Sequence, residues 1–211
     1  MVHFPELTLF GRLARAVCRA DCLPRKELYE AWEVARRVHR RRRGGRVVDL
    51  ACGHGLLGAC LLLLDETCEH AVGVDVRIPA SAAKLRVVLE SEWPRLQGRL
   101  HLQEGHLEDL AIRKDDVVVS AHACGELTDI VLERALGAGA FVAVLPCCHK
   151  VDPHADLCGW LDPALAVDVR RAERLRQAGY TVRTQNIPPE ITPKNRLLLG
   201  IPGGADDSQV P

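Results

Sequence analysis

The stretch VVDLACGHGLLG, residues 47–58, restricts the fold of this chain more than any other. A short β-branched run ends in Ala51-Cys52-Gly53-His54-Gly55, and an apolar helical run follows at once. Strand, glycine turn and helix in direct succession open a βαβ unit, whose loop carries a ligand at the carboxyl end of the strand. Gly53 and Gly55 let the backbone approach that ligand closely. With Gly58 they complete G-x-G-x-x-G, and Asp75 in GVDVR closes the next strand where a ribose hydroxyl pair would sit.

Those features serve a dinucleotide and S-adenosylmethionine equally. Asp49, on the strand just before the loop, separates them. A carboxylate under the loop repels a pyrophosphate, whereas it attracts a sulfonium and an ammonium. The loop is therefore read as a site for a cationic methyl donor, with a nicotinamide dinucleotide as the weaker alternative.

The rest of the chain alternates apolar runs with helical stretches, the pattern of an α/β fold with a largely parallel sheet. Two helices come first, one capped by Thr8 and one opened by Pro24 and stopped at Gly44-Gly45. Strands are expected at Arg46–Ala51, Ala71–Val76, Arg99–Gln103, Asp116–Ala121 and Phe141–Leu145. Helices are expected at Gly55–Leu64, from Pro79 to Glu92, and from Glu126 to Leu136 with Gly137 as terminator. Val151–Pro163 reads as a loop or lid, and Ala164–Ala178 as a helix. Tyr180–Ile187 and Arg196–Ile201 form a closing hairpin. The 211 residues suit one catalytic unit. The expected division is a helical extension over 1–45, the ligand-binding domain over 46–202 and a disordered tail over 203–211.

No apolar run is long enough to span a bilayer, and no N-terminal segment has the order of a signal peptide. A cytoplasmic location, without membrane contact, is expected. The nine cysteines then read as reduced thiols. Positive and negative charges balance at 28 each, so global charge does not announce a nucleic-acid binder.

Asp49-Leu50-Ala51-Cys52-Gly53-His54-Gly55 resembles motif I of class I S-adenosylmethionine-dependent methyltransferases. GVDVR resembles their motif II, and EGHLEDL, residues 104–110, their loop after strand three. The resemblance covers roughly residues 46–201 and implies a Rossmann-like seven-stranded sheet. It implies that Asp49 and the backbone of Ala51, Cys52, Gly53, His54 and Gly55 face the methionine end of the cofactor. Asp75 and Val76 would serve the ribose side, and His106 with Leu107 the adenine. Ala51 departs from the family's usual glycine.

Two turns carry the transfer chemistry. SAHACGELTD leaves strand four and LPCCHK leaves strand five, both toward the same edge of the sheet. His122, Cys124, Cys147, Cys148 and His149 are therefore the candidate catalytic residues. A metal site is one reading, but no C-x-x-C pair exists and adjacent cysteines seldom chelate together, so no metal is expected. A cysteine nucleophile adding to a pyrimidine, as in enzymes that methylate C5 of cytosine, is a second. A pocket that orients a hydroxyl or amine acceptor, with His122 or His149 as base, is the favoured third. Buried cysteines acting as small hydrophobes are the structural alternative.

His-x-Cys-Gly with Pro-Cys-Cys is similar to a subgroup of methyltransferase domains (the methyltransferase-32 type) that includes tRNA 2′-O-methyltransferases of the acceptor stem. The zinc-finger segments of those tRNA enzymes are absent here. Arg40, Arg41, Arg42 and Arg43, in a basic run from Arg36 to Arg46, are candidate phosphate contacts, or else a solvated helix end. Lys194, Asn195 and Arg196 are candidate substrate contacts at a strand start. RNA is the leading acceptor class. A small molecule or a protein is the alternative, followed by a module that binds cofactor or RNA without catalysis. Neither the acceptor atom nor the oligomeric state is legible.

Overall fold

The structure, a computed structural model, describes residues 4, 7–151 and 157–203. Thr8 caps α1 (Leu9–Ala20) by accepting a hydrogen bond from the Gly11 amide at 3.1 Å. Pro24, extended at φ −66°, precedes α2 (Arg25–His39), whose lysine- and arginine-rich ends leave the apolar face to Leu28, Ala31, Val34, Ala35 and Val38. The chain then enters β1 (Gly45–Leu50) and α3 (Leu56–Leu64). β2 (Cys68–Asp75), α4 (Ala82–Glu92), a 3-10 turn at Pro94–Leu96, β3 (Leu100–Glu104) and β4 (Val117–Ser120) follow. α5 (Glu126–Ala138), β5 (Phe141–Val144), α6 (Pro163–Gln177), β6 (Thr181–Asn186) and β7 (Arg196–Ile201) complete the order.

The seven strands lie in the order β3-β2-β1-β4-β5-β7-β6. β1 to β5 pair in parallel, and β7 runs antiparallel between β5 and β6. Strand order reverses at β1, so the loops after β1 and β4 open a crevice there, the usual ligand position in such sheets.

α3 is apolar around its whole circumference, LLGACLLLL, and residues Leu56 to Leu63 are all buried. A helix of that kind needs a cover on both sides. The sheet supplies one and α2 the other, while α1 packs on α4. The N-terminal pair therefore shares one core with α3, α4 and one face of the sheet. A second core joins the other face to α5 and α6. Gly58 lets α3 approach the sheet: a Cβ there would stand 3.3 Å from that of Ala71.

Three expectations change in detail. α2 ends at His39 with Arg40 as its cap, before the rest of the arginine run and the expected stop at Gly44-Gly45. Gly137 lies inside α5; the helix ends at Gly139, left-handed at φ 65°, whose amide bonds the carbonyls of Ala135 and Leu136. In the expected lid, residues 152–156 fall outside the described residues, and 157–160 form turns on which Trp160 is 90% exposed. The tail expected at 203–211 lies, from 204 on, outside the described residues as well. Among the described residues, no helix is long and apolar enough to cross a membrane.

Candidate active site at the carboxyl edge of the sheet

The loop after β1 is built as its spacing indicates, with one twist. Ala51 itself is left-handed at φ 57°, where glycine would be unstrained, as are Gly53 at 52° and Gly55 at 73°. The alternation of β1 turns Asp49 toward α3. Its Oδ2 accepts a hydrogen bond from the Gly58 amide at 3.1 Å, and the residue is 2% exposed. Burial pushes its pKa up to about 7; the Gly58 bond opposes this, and the nearby Asp75 charge adds to it. At the end of β2, Asp75 Oδ2 accepts from the Gly53 amide at 2.9 Å, so the acid of the second strand braces the first loop directly. Val76 beside it is 66% exposed, an apolar side chain left in water. His106 is exposed after β3, whereas Leu107 is buried in the second core. His54 Nε2 lies 2.8 Å from the Ser81 hydroxyl.

Asp49, Cys52, Gly53 and His54 line a small cleft open to solvent. It is also lined by Leu23 from the turn between α1 and α2, by Glu27 and Ala31 from α2, and by Ala121 with His122 after β4. The contribution of α2 was not legible from residue types: Glu27 and Ala31 look like any solvated and any core position of an amphipathic helix. The expectation from the sequence went no further than the N-terminal helices as a whole covering the ligand pocket or part of a substrate groove. Gly73 was missed too. A Cβ there would meet Leu102 Cδ2 at 2.7 Å and Cys52 Sγ at 2.8 Å, so its smallness seats the base of the loop.

The turns after β4 and β5 meet, as expected for neighbouring parallel strands. The Gly125 amide donates to the Cys148 carbonyl at 3.2 Å. Cys124 and Cys147 sulfurs are 2.8 Å apart, and Cys148 completes a cluster whose sulfur atoms all lie within 4.8 Å of one another. Burial, then the neighbouring Cys124 and Cys148 thiols, push the Cys147 thiol up to about 12. Burial also raises Cys124. As free thiols these are poor nucleophiles at neutral pH.

The two histidines differ. His122 lines the cleft. His149 is 3% exposed at its side chain, and its Nε2 lies 2.7 Å from Asp168 Oδ1. Its Nδ1 is enclosed without a partner. Asp168, which no motif singled out, joins three elements: it also accepts from Arg171 Nη1 at 3.3 Å and from Arg196 Nε at 2.7 Å. Arg171, 3% exposed, further holds both oxygens of Asp129 at 2.9 and 2.8 Å and the Gly125 carbonyl at 2.9 Å.

The remaining substrate candidates do not gather at the cleft. Arg40 to Arg43 precede β1, whereas the ligand loop follows it; the strand between them spans ~20 Å. Arg40, Arg41 and Arg43 are exposed, and Arg42 Nη2 donates to the Asp115 carbonyl at 3.2 Å. Arg46, at the end of the basic run, is structural: it clasps the fully buried Asp116 at 2.9 and 2.6 Å. Arg36 and Arg37 pair with Glu33. Asn195 Nδ2 donates to the Ile187 carbonyl at 3.0 Å and closes the hairpin, while Lys194 is exposed.

A parallel sheet in this order, an antiparallel seventh strand, and a glycine loop flanked by Asp49 and Asp75 define a Rossmann-like methyltransferase fold. The family model described as a methyltransferase domain matches residues 25–151, well over half of the chain, and the chain belongs to that family. The match takes in α2, in keeping with its place on the cleft wall.

Relatives and solved structures are more distant. The human glutathione S-transferase C-terminal domain-containing protein is 24% identical over 200 residues, covering 75% of this chain and 30% of that protein. The chain thus spans about a third of such relatives. An O-methyltransferase family protein from Burkholderia thailandensis superposes with a TM-score of 0.56 at 19% identity, over 93% of this chain and 63% of that one. A protein from Corynebacterium glutamicum superposes at 0.63 with 13% identity, over 98% and 95%. These likenesses concern the fold.

Proposed function

We propose that this chain transfers a methyl group from S-adenosylmethionine to structured RNA. The observation that carries the cofactor is Asp49, a buried carboxylate directly under a glycine loop that bears no cation. A loop meant for pyrophosphate gains nothing from it, whereas a ligand carrying positive charge does. The pocket residues fit that ligand in other respects. Asp75 offers its carboxylate to a ribose diol, and exposed Val76 offers apolar cover to a base. His106 and the backbone of Leu107 border the same side. Ala51, Cys52, His54 and Gly55 contribute backbone to the methionine end. S-adenosylmethionine supplies an electrophilic methyl on its sulfonium.

The work left to the protein is positioning and removal of one proton. His122 lines the cleft, which supports its reading as the base that takes the proton of an acceptor hydroxyl. His149, held by Asp168, orients the turn after β5 that carries Cys147 and Cys148. The RNA acceptor rests on the likeness of the His-x-Cys-Gly and Pro-Cys-Cys turns to the tRNA 2′-O subgroup. It rests also on exposed Arg40, Arg41 and Arg43, which would hold backbone phosphates away from the reacting nucleotide. A cytoplasmic setting belongs to the same proposal, on the reading of the nine cysteines as reduced thiols.

Tritium transfer from labelled cofactor into RNA, protein and small-molecule fractions of a cell extract tests the reading. Label in RNA is the expected result; label in the small-molecule fraction would transfer the acceptor to that class, and label in none would end the proposal. Changing Arg40, Arg41 and Arg43 together to alanine should weaken RNA binding and flatten its salt dependence. The slope of log affinity against log salt should fall by about 0.7–0.9 for each phosphate that the variant no longer neutralises. An unchanged slope removes these arginines from the RNA interface.

A further inference from the structure

We infer that Cys124, Cys147 and Cys148 form a three-thiolate site for a thiophilic divalent cation, zinc, with the fourth position open to solvent. The spacing of the sequence argued against this, because it shows one lone cysteine and one adjacent pair. The fold supplies what the spacing lacks. β4 and β5 are parallel neighbours, so the turns that follow them converge, and all three sulfur atoms come within 4.8 Å of one another. Tetrahedral zinc with ~2.3 Å sulfur bonds sets sulfur pairs roughly 3.8 Å apart. That spacing falls within the span of the cluster, and the 2.8 Å Cys124–Cys147 pair has to open to reach it.

The donor set is pure sulfur, which selects zinc over oxygen-seeking magnesium or calcium. Cys124 and Cys148 are exposed, which provides an entry path and a free coordination position. Cys124 immediately precedes Gly125, the N-cap of the 13-residue α5, where the helix dipole favours a thiolate. Lys26 of α2 lies close enough to stabilise charge on Cys124. Binding replaces three S–H bonds by three Zn–S bonds and releases three protons, leaving one net negative charge on the site. The cation would fasten the turn after β4 to the turn after β5, at the edge of the sheet that also carries the cleft. A Cys124–Cys147 disulfide is the rival occupant, but it leaves Cys148 without a role.

The test uses the reduced, metal-free full chain titrated with cobalt(II) as a spectroscopic probe, followed by zinc. One equivalent of cobalt should bind with a sulfur-to-metal charge-transfer band and the intense visible bands of tetrahedral coordination, and zinc should erase both. Cys124→Ser and Cys148→Ser should each weaken the metal by more than the ~10–100-fold typical of an outer-shell partner. Cys18→Ser, at an exposed cysteine elsewhere, should leave the bands intact. Should the serine variants fail to fold, alkylation of the unaltered protein read by mass spectrometry replaces them: zinc should protect Cys124 and Cys148 but not Cys18. Absence of stoichiometric binding by the folded reduced chain, bands that survive in the double variant Cys124→Ser/Cys148→Ser, or absence of protection each overturns the site. None of these readouts involves methyl transfer, so the site can fail while the proposed activity stands.

Discussion

At pH 8, replacing Asp49 by asparagine is expected to stabilise the free protein and, at the same time, to weaken its binding of S-adenosylmethionine. The two effects share one cause. Asp49 is buried, and its pKa rises from 3.8 to about 7 on folding. Between those values the folded state holds a proton that the unfolded state has lost. Stability attributable to this group therefore falls as pH rises through that window, and the full penalty is present above it. One pKa unit corresponds to ~1.4 kcal/mol, so the penalty is a few kcal/mol. Asparagine keeps an oxygen for the Gly58 amide but buries an amide that needs a partner, which offsets part of the gain. We expect a net gain of about 1–3 kcal/mol at pH 8, read from urea unfolding, that falls with pH and becomes a loss near pH 4, where only the cost of the buried amide remains.

Cofactor affinity should move the other way. Losing the ionised carboxylate should weaken binding at least ~10-fold, equivalent to ~1.4 kcal/mol. In the unaltered protein, affinity for the cationic ligand should climb between pH 6 and pH 8 as Asp49 ionises, and the variant should lack that climb. Calorimetry at both pH values decides it. An asparagine variant that binds the cofactor as tightly as the parent would remove Asp49 from ligand recognition and leave it as an internal strain only.

The second large effect concerns Arg171. Arg171→Met should cost about 2–3 kcal/mol, because it takes the donor from the Gly125 carbonyl and removes one of three partners of Asp168, which keeps His149 and Arg196. The figure sits below the upper range for buried pairs because the Asp129 side chain is 40% exposed and water can take over that partner. The same exposure predicts an asymmetry. Asp129→Asn should cost under about 1 kcal/mol, although it touches the same pair. Urea midpoints of the two variants measure both. Equal losses would mean that the Asp129 pairing, and not the link from α6 to the turns after β4 and β5, carries the stabilisation.

Much of the architecture was legible because it follows from local patterns. Thr8 and Pro24 mark helix starts through their own side chain or ring. β-branched runs mark the strands. The misplaced end of α5 shows the limit: Gly137 and Gly139 are chemically identical, and only the backbone path decides which turns left-handed.

The candidate site divides along the same line. Asp49, Gly53, Gly55 and Asp75 lie close to strand ends, where short-range geometry gathers them around one loop, so their grouping was legible. Glu27, Asp168 and Arg171 were not, because their partners come from elements far away in the chain. The arginine run was conspicuous in one dimension, yet a strand's length separates it from the cleft.

From residue order alone follow the alternating strands and helices, the glycine loop and the sign of the charge beneath it. All of these depend on interactions a few residues apart. Tertiary structure alone decides which chemistry meets which. It makes α2 a wall of the cleft, encloses His149 while leaving His122 open to it, and turns one lone cysteine and one adjacent pair into a three-sulfur cluster. The reason is that parallel strands bring their carboxyl ends together whatever the length of chain between them, so convergence there is set by strand order and is invisible in spacing.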